Sequence, residues 1–370
     1  MKKQWLQQTT GRVGTIANLH QQGYICCYML VMCDFMKKAL IFIIAIVNIT
    51  ICNGQSFRPE IDSLIYKIAS INTLSSNWVG IFLKQSDQRE TYFTLKENAT
   101  DAELVLLTKH ENPNVRCYAF EALTYRKTVD LIPILIDHLY DTAFVNNIIG
   151  CMTVQKKVGD YFIEMVTSEY TDKHAYKLTK KEKYKIDSIL ILDKNVNLEA
   201  KYELLQSLTP SKIYYERIRE IVLIEKKQEG LVALSKYKNQ QDIELIIDKL
   251  KSSNKEIQFY GLWAVRNYPD SSFFRYLKEI NSNELKNSYY EPRIRMFYQA
   301  LVQYKDSASR EIIELNLNES KNILLKIHSE YIWLAIEKYP AKIYLDIQNR
   351  IKLSDNERMD LKYWLENQDR

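Results

Sequence analysis

Glycine is scarce in this chain of 370 residues, which contains nine, and five of them follow residue 54: Gly80, Gly150, Gly159, Gly230 and Gly261. This scarcity speaks against an all-β fold and against the glycine-rich loops that hold nucleotide phosphates. Neither G-x-x-x-x-G-K nor G-x-G-x-x-G occurs. The motifs H-E-x-x-H, C-x-x-C and G-x-S-x-G are also missing. The sequence therefore predicts no catalytic, cofactor-binding or metal-binding residues.

The chain carries little excess charge of either sign outside its first 54 residues. The net charge is +5, of which residues 1–54 contribute +4 and the remainder only +1. A nucleic-acid-binding protein usually has a basic stripe and a high isoelectric point. The single basic cluster, residues 173–185, is interpreted as a solvated loop and helix start. We therefore expect no nucleic-acid partner.

Residues 36–54 have the three parts of a secretory signal peptide. Lys37 and Lys38 precede an apolar run of 13 residues, and small residues precede a cleavage site between Gly54 and Gln55. The run is shorter than the ~20 residues that a membrane-spanning helix needs. The sequence therefore predicts export to the periplasm or cell envelope, and secretion stays an open alternative.

The start of the protein follows from the length of this signal. Cleavage after Gly54 gives a signal of ordinary length only if translation starts at Met36. We therefore interpret residues 1–35 as an over-extended reading frame or a disordered tail. Lipidation at Cys52 stays open, although the preceding Ile51 is larger than such sites prefer. We expect membrane contact only through the leader or through a lipid on Cys52.

One line of sequence recurs along the second half of the chain. Residues 260–269 read YGLWAVRNYP and residues 331–340 read YIWLAIEKYP, with looser copies at 229–238 and 296–305. Their alanines are Ala233, Ala264, Ala300 and Ala335, at intervals of 31, 36 and 35 residues. Periods of this size are typical of helical solenoids.

The spacing within each copy predicts a helix with one packed face. Positions two before, one after and four after each alanine share a face, and the small alanine lets a neighbouring backbone come close. A second amphipathic run follows each copy, so the unit is a pair of helices. The tyrosines four residues after each alanine are predicted to pack between repeats with the hydroxyl at the rim. They are Tyr237, Tyr268, Tyr304 and Tyr339.

Residues 112–123, NPNVRCYAFEAL, contain the same unit and resemble HEAT-type repeats. The matching residues are Pro113, Val115, Arg116, Ala119, Ala122 and Leu123. Residues 257–265 keep this frame, whereas residues 292–301 depart from it by one position. Residues 95–123 also resemble a HEAT-like group of exported bacterial proteins of unassigned activity.

The resemblance implies an all-α fold. It implies a right-handed α-solenoid of stacked antiparallel helix pairs, HEAT-like or armadillo-like, over residues 99–370. Residues 55–98 are predicted to form an N-terminal helical cap, and an irregular insertion is predicted near residues 168–178. Cys117 and Cys151 lie 34 residues apart, about one repeat. We expect two buried thiols rather than a disulfide, because packed helix axes lie farther apart than a disulfide spans.

Few polar or aromatic residues stand out as functional candidates. The doublets Tyr214–Tyr215 and Tyr289–Tyr290 lie near predicted helix starts, where one residue of each pair can face a partner. Asp137, His138 and Asp141 share a helix end. We interpret that end as facing solvent rather than a metal.

Two functions stay open at this point, and a third conflicts with the composition. The first is an exported, non-enzymatic scaffold that binds a protein or peptide on a solenoid surface. The second is an accessory protein or enzyme of the lyase-like HEAT group that acts on a small molecule. DNA binding, as in some HEAT-like glycosylases, conflicts with export and with the net charge of only +1 after residue 54.

Overall fold

The computed structural model describes residues 57–368, except residues 83, 170, 284, 286–290 and 320–322. The predicted signal sequence 36–54, the predicted cleavage site between Gly54 and Gln55, and Cys52 lie outside the described residues, and so do Tyr289 and Tyr290. The chain divides into two compact units, residues 1–63 and residues 64–370. The described helices and strands belong to the second unit, except that α1 begins in the first unit.

Eighteen α-helices make up most of the described chain. They are α1 (Pro59–Ile71), α2 (Asp87–Asn98), α3 (Asp101–Leu107), α4 (Pro113–Leu123), α5 (Leu131–His138), α6 (Val158–Thr167), α7 (Lys180–Leu192), α8 (Glu199–Ser207), α9 (Tyr215–Leu223), α10 (Glu229–Ser235), α11 (Ile243–Leu250), α12 (Lys255–Asn267), α13 (Phe274–Asn283), α14 (Glu291–Leu301), α15 (Ser307–Glu319), α16 (Ile323–Lys338), α17 (Leu345–Arg350) and α18 (Asp355–Gln368). Short 3₁₀ turns at Gln240–Asp242, Ser271–Phe273 and Lys342–Tyr344 lead into α11, α13 and α17.

Within the described residues, four strands form a mixed sheet that the sequence did not predict. They are β1 (Leu74–Val79), β2 (Lys84–Gln85), β3 (Phe144–Gly150) and β4 (Met152–Lys157), in the order β2-β1-β3-β4. β1 is antiparallel to β2 and parallel to β3, and β3 is antiparallel to β4. The mostly helical fold is confirmed, but the all-α class is wrong. The prediction of a helical cap over residues 55–98 is also wrong, because β1 and β2 lie within it.

The physical reason for the error is the distance along the chain between the paired strands. Ser75 pairs with Ile148, more than 70 residues later. β1 reads LSSNWV, which contains too few apolar residues to show an alternating pattern. A strand of this kind forms because a distant partner supplies its hydrogen bonds, so no short window of sequence indicates it.

The helices contact one another in an alternating order. From α2 to α18, each even-numbered helix packs against the next even-numbered helix. An odd-numbered helix packs against the even-numbered helix that follows it at α3–α4, α5–α6, α7–α8, α9–α10, α11–α12 and α15–α16. The apolar face of each even-numbered helix is therefore covered by neighbours one pair away in sequence.

The repeated alanines all lie on even-numbered helices and are buried. Ala122 is in α4, Ala233 in α10, Ala264 in α12, Ala300 in α14 and Ala335 in α16, and none exposes more than 1% of its surface. Nearby, a Cβ atom at Gly261 would lie 3.0 Å from the backbone nitrogen of Leu250. α11 and α12 therefore approach closely at this point, and a side chain at position 261 would push the two helices apart by a few tenths of an ångström.

Hydrogen bonds link residues about one repeat apart. The amide Nδ2 of Asn267 donates to the carbonyl of Val232 at 3.3 Å and to Ser235 Oγ at 3.0 Å. Tyr237, Tyr268, Tyr304 and Tyr339 are all partly buried. The Tyr304 hydroxyl donates to the carbonyl of Asp270 at 2.8 Å, and that of Tyr237 donates to the carbonyl of Ser211 at 2.8 Å. These two tyrosines bind the loop of the preceding helix pair.

Candidate functional site

A groove of about 440 Å³ lies between β4, α6 and α8, and we call it the β4 groove. Its lining residues are Phe144, Val154, Gln155, Lys156, Lys157, Asp160, Ile163, Glu164, Thr167, Ser168, Glu199, Ala200 and Glu203. Its volume falls within the roughly 300–1,000 Å³ that is typical of ligand sites in proteins. Four carboxylates and two lysines line it, which leaves two negative charges in excess.

One backbone edge of β4 faces away from the rest of the sheet. Among the described residues, β4 pairs only with β3. The N–H of Val158 donates to the carbonyl of Ala143 at 2.9 Å, immediately beyond the last strand pair. Because antiparallel pairs alternate between bonded and non-bonded residues, the backbone groups of Thr153 and Gln155 point away from β3. These groups offer donors and acceptors to another strand.

A two-residue turn joins β3 to β4. Gly150 has a φ of +59°, a left-handed conformation that glycine adopts without strain. The other turn residue, Cys151, is exposed. The prediction of two buried thiols is therefore wrong for Cys151, because it lies in a hairpin turn instead of a repeat helix. Cys117 is buried as predicted, and burial raises the pKa of its thiol well above the usual value.

Asp160 joins α6 to the start of α8. Its carboxylate accepts hydrogen bonds from the backbone N–H groups of Glu199 at 3.2 Å and Ala200 at 2.9 Å. Burial raises the pKa of Asp160 above its usual value, although these two bonds act in the opposite direction. Asp160 therefore holds the N-terminus of α8 against the groove.

The two lysines of the groove already have partners. Lys156 Nζ forms an ion pair with Glu164. Lys157 is buried, and its Nζ donates to the carbonyl of Asn197 at 2.9 Å and lies 3.4 Å from Glu199 Oε1. Neither lysine forms an ion pair with the remaining carboxylate of the groove, that of Glu203, although the positive charge of Lys156 acts to lower the pKa of Glu203.

Glu203 has no hydrogen-bond or ion-pair partner within the part of the chain that the structure describes. Desolvation of its carboxylate in the groove and the negative charge of Asp160 raise its pKa. Glu203 lies four residues after Glu199 on α8, so both side chains occupy one helical face. This arrangement can hold a cation.

The structure separates the two tyrosines of the first doublet. Tyr214 is buried, and its hydroxyl lies 2.7 Å from Ser188 Oγ. Tyr214 therefore packs in the core, which leaves Tyr215 as the member of this doublet that can face a partner. Tyr215 is partly buried and donates to Asp242 Oδ2 at 2.8 Å. Its ring packs edge-on against Tyr237 at 5.0 Å.

Tyr215 and Tyr237 line a second, more open recess of about 580 Å³. Its other lining residues are Lys212, Lys238, Asn239 and Gln240. The recess therefore contains Tyr215, which was predicted to contact a partner, and Tyr237, which was predicted to pack between repeats. The second doublet, Tyr289–Tyr290, lies outside the described residues.

At the helix end that was predicted to face solvent, Asp137 is exposed, but His138 is not. The His138 side chain is buried against Phe162, with ring centroids 4.5 Å apart, and its Nδ1 lies 3.1 Å from Asp141 Oδ2. Arg116 Nε lies 2.9 Å from the same oxygen. Burial alone would raise the pKa of Asp141, but its bonds with His138 and Arg116 hold that pKa below the usual value. The described residues contain no group of three or more His, Cys, Asp or Glu side chains that could hold a metal ion.

Sequence reasoning missed the β4 groove, although one signal was present. Two runs that contain β-branched and apolar residues, 144–149 and 152–157, are separated by Gly150 and Cys151. A two-residue Gly-x spacing of this kind predicts a hairpin. No comparable signal indicates Asp160 or Glu203, because the fold alone brings them together.

No helix in the described part of the chain combines the length and apolarity needed to cross a membrane. No protein-family model, curated protein or solved structure matches this chain.

Proposed function

We propose that this chain is an exported, non-enzymatic binding protein that holds an extended peptide segment of a protein partner along β4. The observation that carries this proposal is the outward-facing backbone of Thr153 and Gln155 beside the β4 groove. The predicted signal sequence at residues 36–54 supports the export part of this proposal.

We also propose that the helices form a right-handed solenoid of HEAT-like pairs. The alternating contacts from α2 to α18 support this arrangement. The 31- to 36-residue spacing of the buried alanines supports it too. In such an array each pair of helices covers the apolar face of its neighbours, and the resulting surface suits a protein partner.

The binding mechanism is strand addition. An incoming segment in extended conformation donates to the outward carbonyls of β4 and accepts from its outward N–H groups. These main-chain bonds supply affinity for any extended sequence. Alternate side chains of the segment point to opposite faces, so one set enters the β4 groove and can supply specificity.

A second candidate function is the conversion of a bound small molecule in the same groove. One observation favours it: the pKa values of two groove carboxylates, Asp160 and Glu203, are both raised. Carboxylic acids with shifted pKa values in a cleft are typical of catalytic sites, but structural ion pairs shift pKa values in a similar way. Turnover of a small molecule that Glu203→Gln abolishes would favour this function over peptide binding.

The proposed function is tested by panning a display library of random twelve-residue peptides against the full chain. Enriched peptides are then titrated against Gln155→Pro and Gln155→Ala. Proline removes the outward N–H and places its ring at the strand edge, whereas alanine keeps the N–H and removes only the side chain. We expect a loss of affinity of about tenfold or more with proline and little change with alanine, since one lost hydrogen bond costs about 0.5–1.5 kcal/mol and the ring adds a clash.

Circular dichroism and thermal denaturation serve as the folding control for both variants. Proline at an outward position of an edge strand is compatible with pairing to β3, so we expect the two melting temperatures to agree closely. Failure to enrich any peptide, or equal binding to both variants, would overturn the proposed function.

A further inference from the structure

We propose that the partner segment carries an arginine or lysine whose cationic group enters the β4 groove and binds the carboxylates of Glu199 and Glu203. This inference rests on the proposed function and names the chemistry of the segment that β4 receives. The free strand edge admits any extended peptide, and the charge of the groove beside it selects among them.

Some negative charge of the β4 groove remains after its residues have paired with one another. Lys156 is engaged by Glu164, and Lys157 is shared between Glu199 and the carbonyl of Asn197. Asp160 is engaged by two backbone N–H groups at the start of α8. Glu203 is exposed and has no hydrogen-bond or ion-pair partner within the described ranges. The side chain of Glu199 is 62% exposed, although Lys157 Nζ lies 3.4 Å from its Oε1. Both carboxylates are therefore accessible to an incoming cation.

The spacing of the two carboxylates suits a cation that binds both of them. Glu199 and Glu203 are four residues apart on α8, so they lie one turn apart on the same face. Two carboxylates on one face repel each other, and a cation between them removes that repulsion. A planar guanidinium has several N–H donors in a fixed fork and can bind both carboxylates at once. Arginine is therefore the better fit, and lysine provides the charge without the fork.

The β4 groove also has an apolar part. Phe144 and Ile163 line it together with the carboxylates, and Phe144 is 56% exposed. Arginine and lysine reach polar sites through long aliphatic stems that pack on apolar surface. A stem that lies against Phe144 covers this exposed ring while the cationic group reaches the carboxylates on α8. A small inorganic cation would leave the ring uncovered, so the groove favours a side chain.

The experiment uses three fluorescein-labelled ten-residue peptides of alternating threonine and valine. They differ at one central position, which is arginine, methionine or glutamate. Fluorescence anisotropy with the full chain gives a Kd for each, at low and at moderate ionic strength. We expect the arginine peptide to bind about tenfold more tightly than the methionine peptide. The glutamate peptide should bind most weakly, and the differences should shrink as salt screens the charges.

Two variants locate the effect. Glu203→Gln removes the charge from the groove, and Glu216→Gln removes an exposed charge from α9 as a matched control. We expect the preference for arginine to fall about fivefold or more in Glu203→Gln and to stay unchanged in Glu216→Gln. An arginine preference that survives Glu203→Gln would overturn the assignment of the site.

The two proposals fail in different ways. If all three peptides bind the wild-type chain equally, strand addition stands and the charge selection is wrong. If none binds and panning also enriches no peptide, the proposed function fails and this inference fails with it.

Discussion

Two regions of the second unit are held together by different kinds of contact. The sheet-bearing region, residues 74–167, depends on a few buried polar contacts between segments that are far apart in sequence. The repeat region, residues 229–351, depends on similar contacts made again in each helix pair. The comparison shows how one chain uses both distant and periodic contacts to stabilise helices of similar length.

Glu121 is the centre of the sheet-bearing region. This residue of α4 is buried, and its carboxylate accepts two hydrogen bonds from Arg89 of α2, at 2.6 and 3.0 Å. It also accepts one from the hydroxyl of Tyr161 in α6, at 2.6 Å. Nearby, the hydroxyl of Tyr118 accepts from the backbone N–H of Ser75 in β1 at 2.9 Å. One helix therefore holds two helices and a strand through single polar contacts.

The repeat region distributes its stability over many equivalent contacts. Four buried alanines lie in α10, α12, α14 and α16, and each of these helices packs against the next. Because each pair contacts mainly its neighbours, the loss of one contact is expected to weaken one interface and leave distant pairs intact. We therefore expect the loss of one contact to destabilise a larger part of the sheet-bearing region than of the repeat region.

The largest expected effect is that of Glu121→Ala. Removing one partner leaves the partly buried guanidinium of Arg89 without its carboxylate. We expect a cost of about 3 kcal/mol of the free energy of unfolding, at the lower end of the roughly 3–5 kcal/mol for a fully buried charge. Urea denaturation of the full chain measures this loss, and hydrogen exchange locates it. Glu97→Ala, an exposed change on α2, is the control and should stay within about 0.5 kcal/mol. A loss below 1 kcal/mol would contradict the central role of Glu121.

The next effect is a pH dependence that comes from His328 in α16. His328 is fully buried, with Nδ1 2.8 Å from the hydroxyl of Tyr298, and burial lowers its pKa to about 4. The ordinary pKa is about 6.5, so the unfolded chain takes up a proton before the folded chain does. This contribution to stability is complete above pH 6.5 and is lost as the pH falls towards 4, by about 3 kcal/mol in all.

The measurement is the difference between wild type and His328→Gln in urea denaturation at several pH values. We expect the slope of stability against pH between 4 and 6.5 to be smaller in the variant. His174→Gln changes an exposed histidine and should keep the wild-type slope. Equal slopes in all three proteins would show that His328 does not titrate in this range. A smaller slope would show that the repeat region also contains a buried polar contact that matters.

The smallest of the three effects is that of Ala264→Leu, which is expected to cost about 1–3 kcal/mol by overpacking the contacts of α12. Ala264 is fully buried in a helix that packs against both α10 and α14. Thermal denaturation checks the loss, and hydrogen exchange should confine it to these neighbours. Ala102→Leu, at an exposed position of α3, is the matched control. An unchanged melting temperature would mean that Ala264 does not face a neighbouring helix.

Much of the repeat region could be predicted from the sequence, whereas the candidate site could not. The helices around Ala264 and Ala335 repeat a pattern that a window of ten residues contains. The burial of the alanines follows from the same pattern. The β4 groove draws on β4, α6 and α8, and its character depends on which carboxylates acquire partners. Asp160 and Glu203 look like ordinary surface acids in sequence, and only their positions in the fold distinguish them.

By itself the sequence determined the helical repeats, their period and the small residues at their contacts, because these properties come from local periodicity. Only the tertiary structure decided that residues 74–79 form a strand, and that within the described chain β4 keeps one edge unpaired and Glu203 forms no ion pair. The physical reason is that strand pairing and charge compensation depend on groups brought together across about 70 and about 40 residues, and no local pattern contains that information.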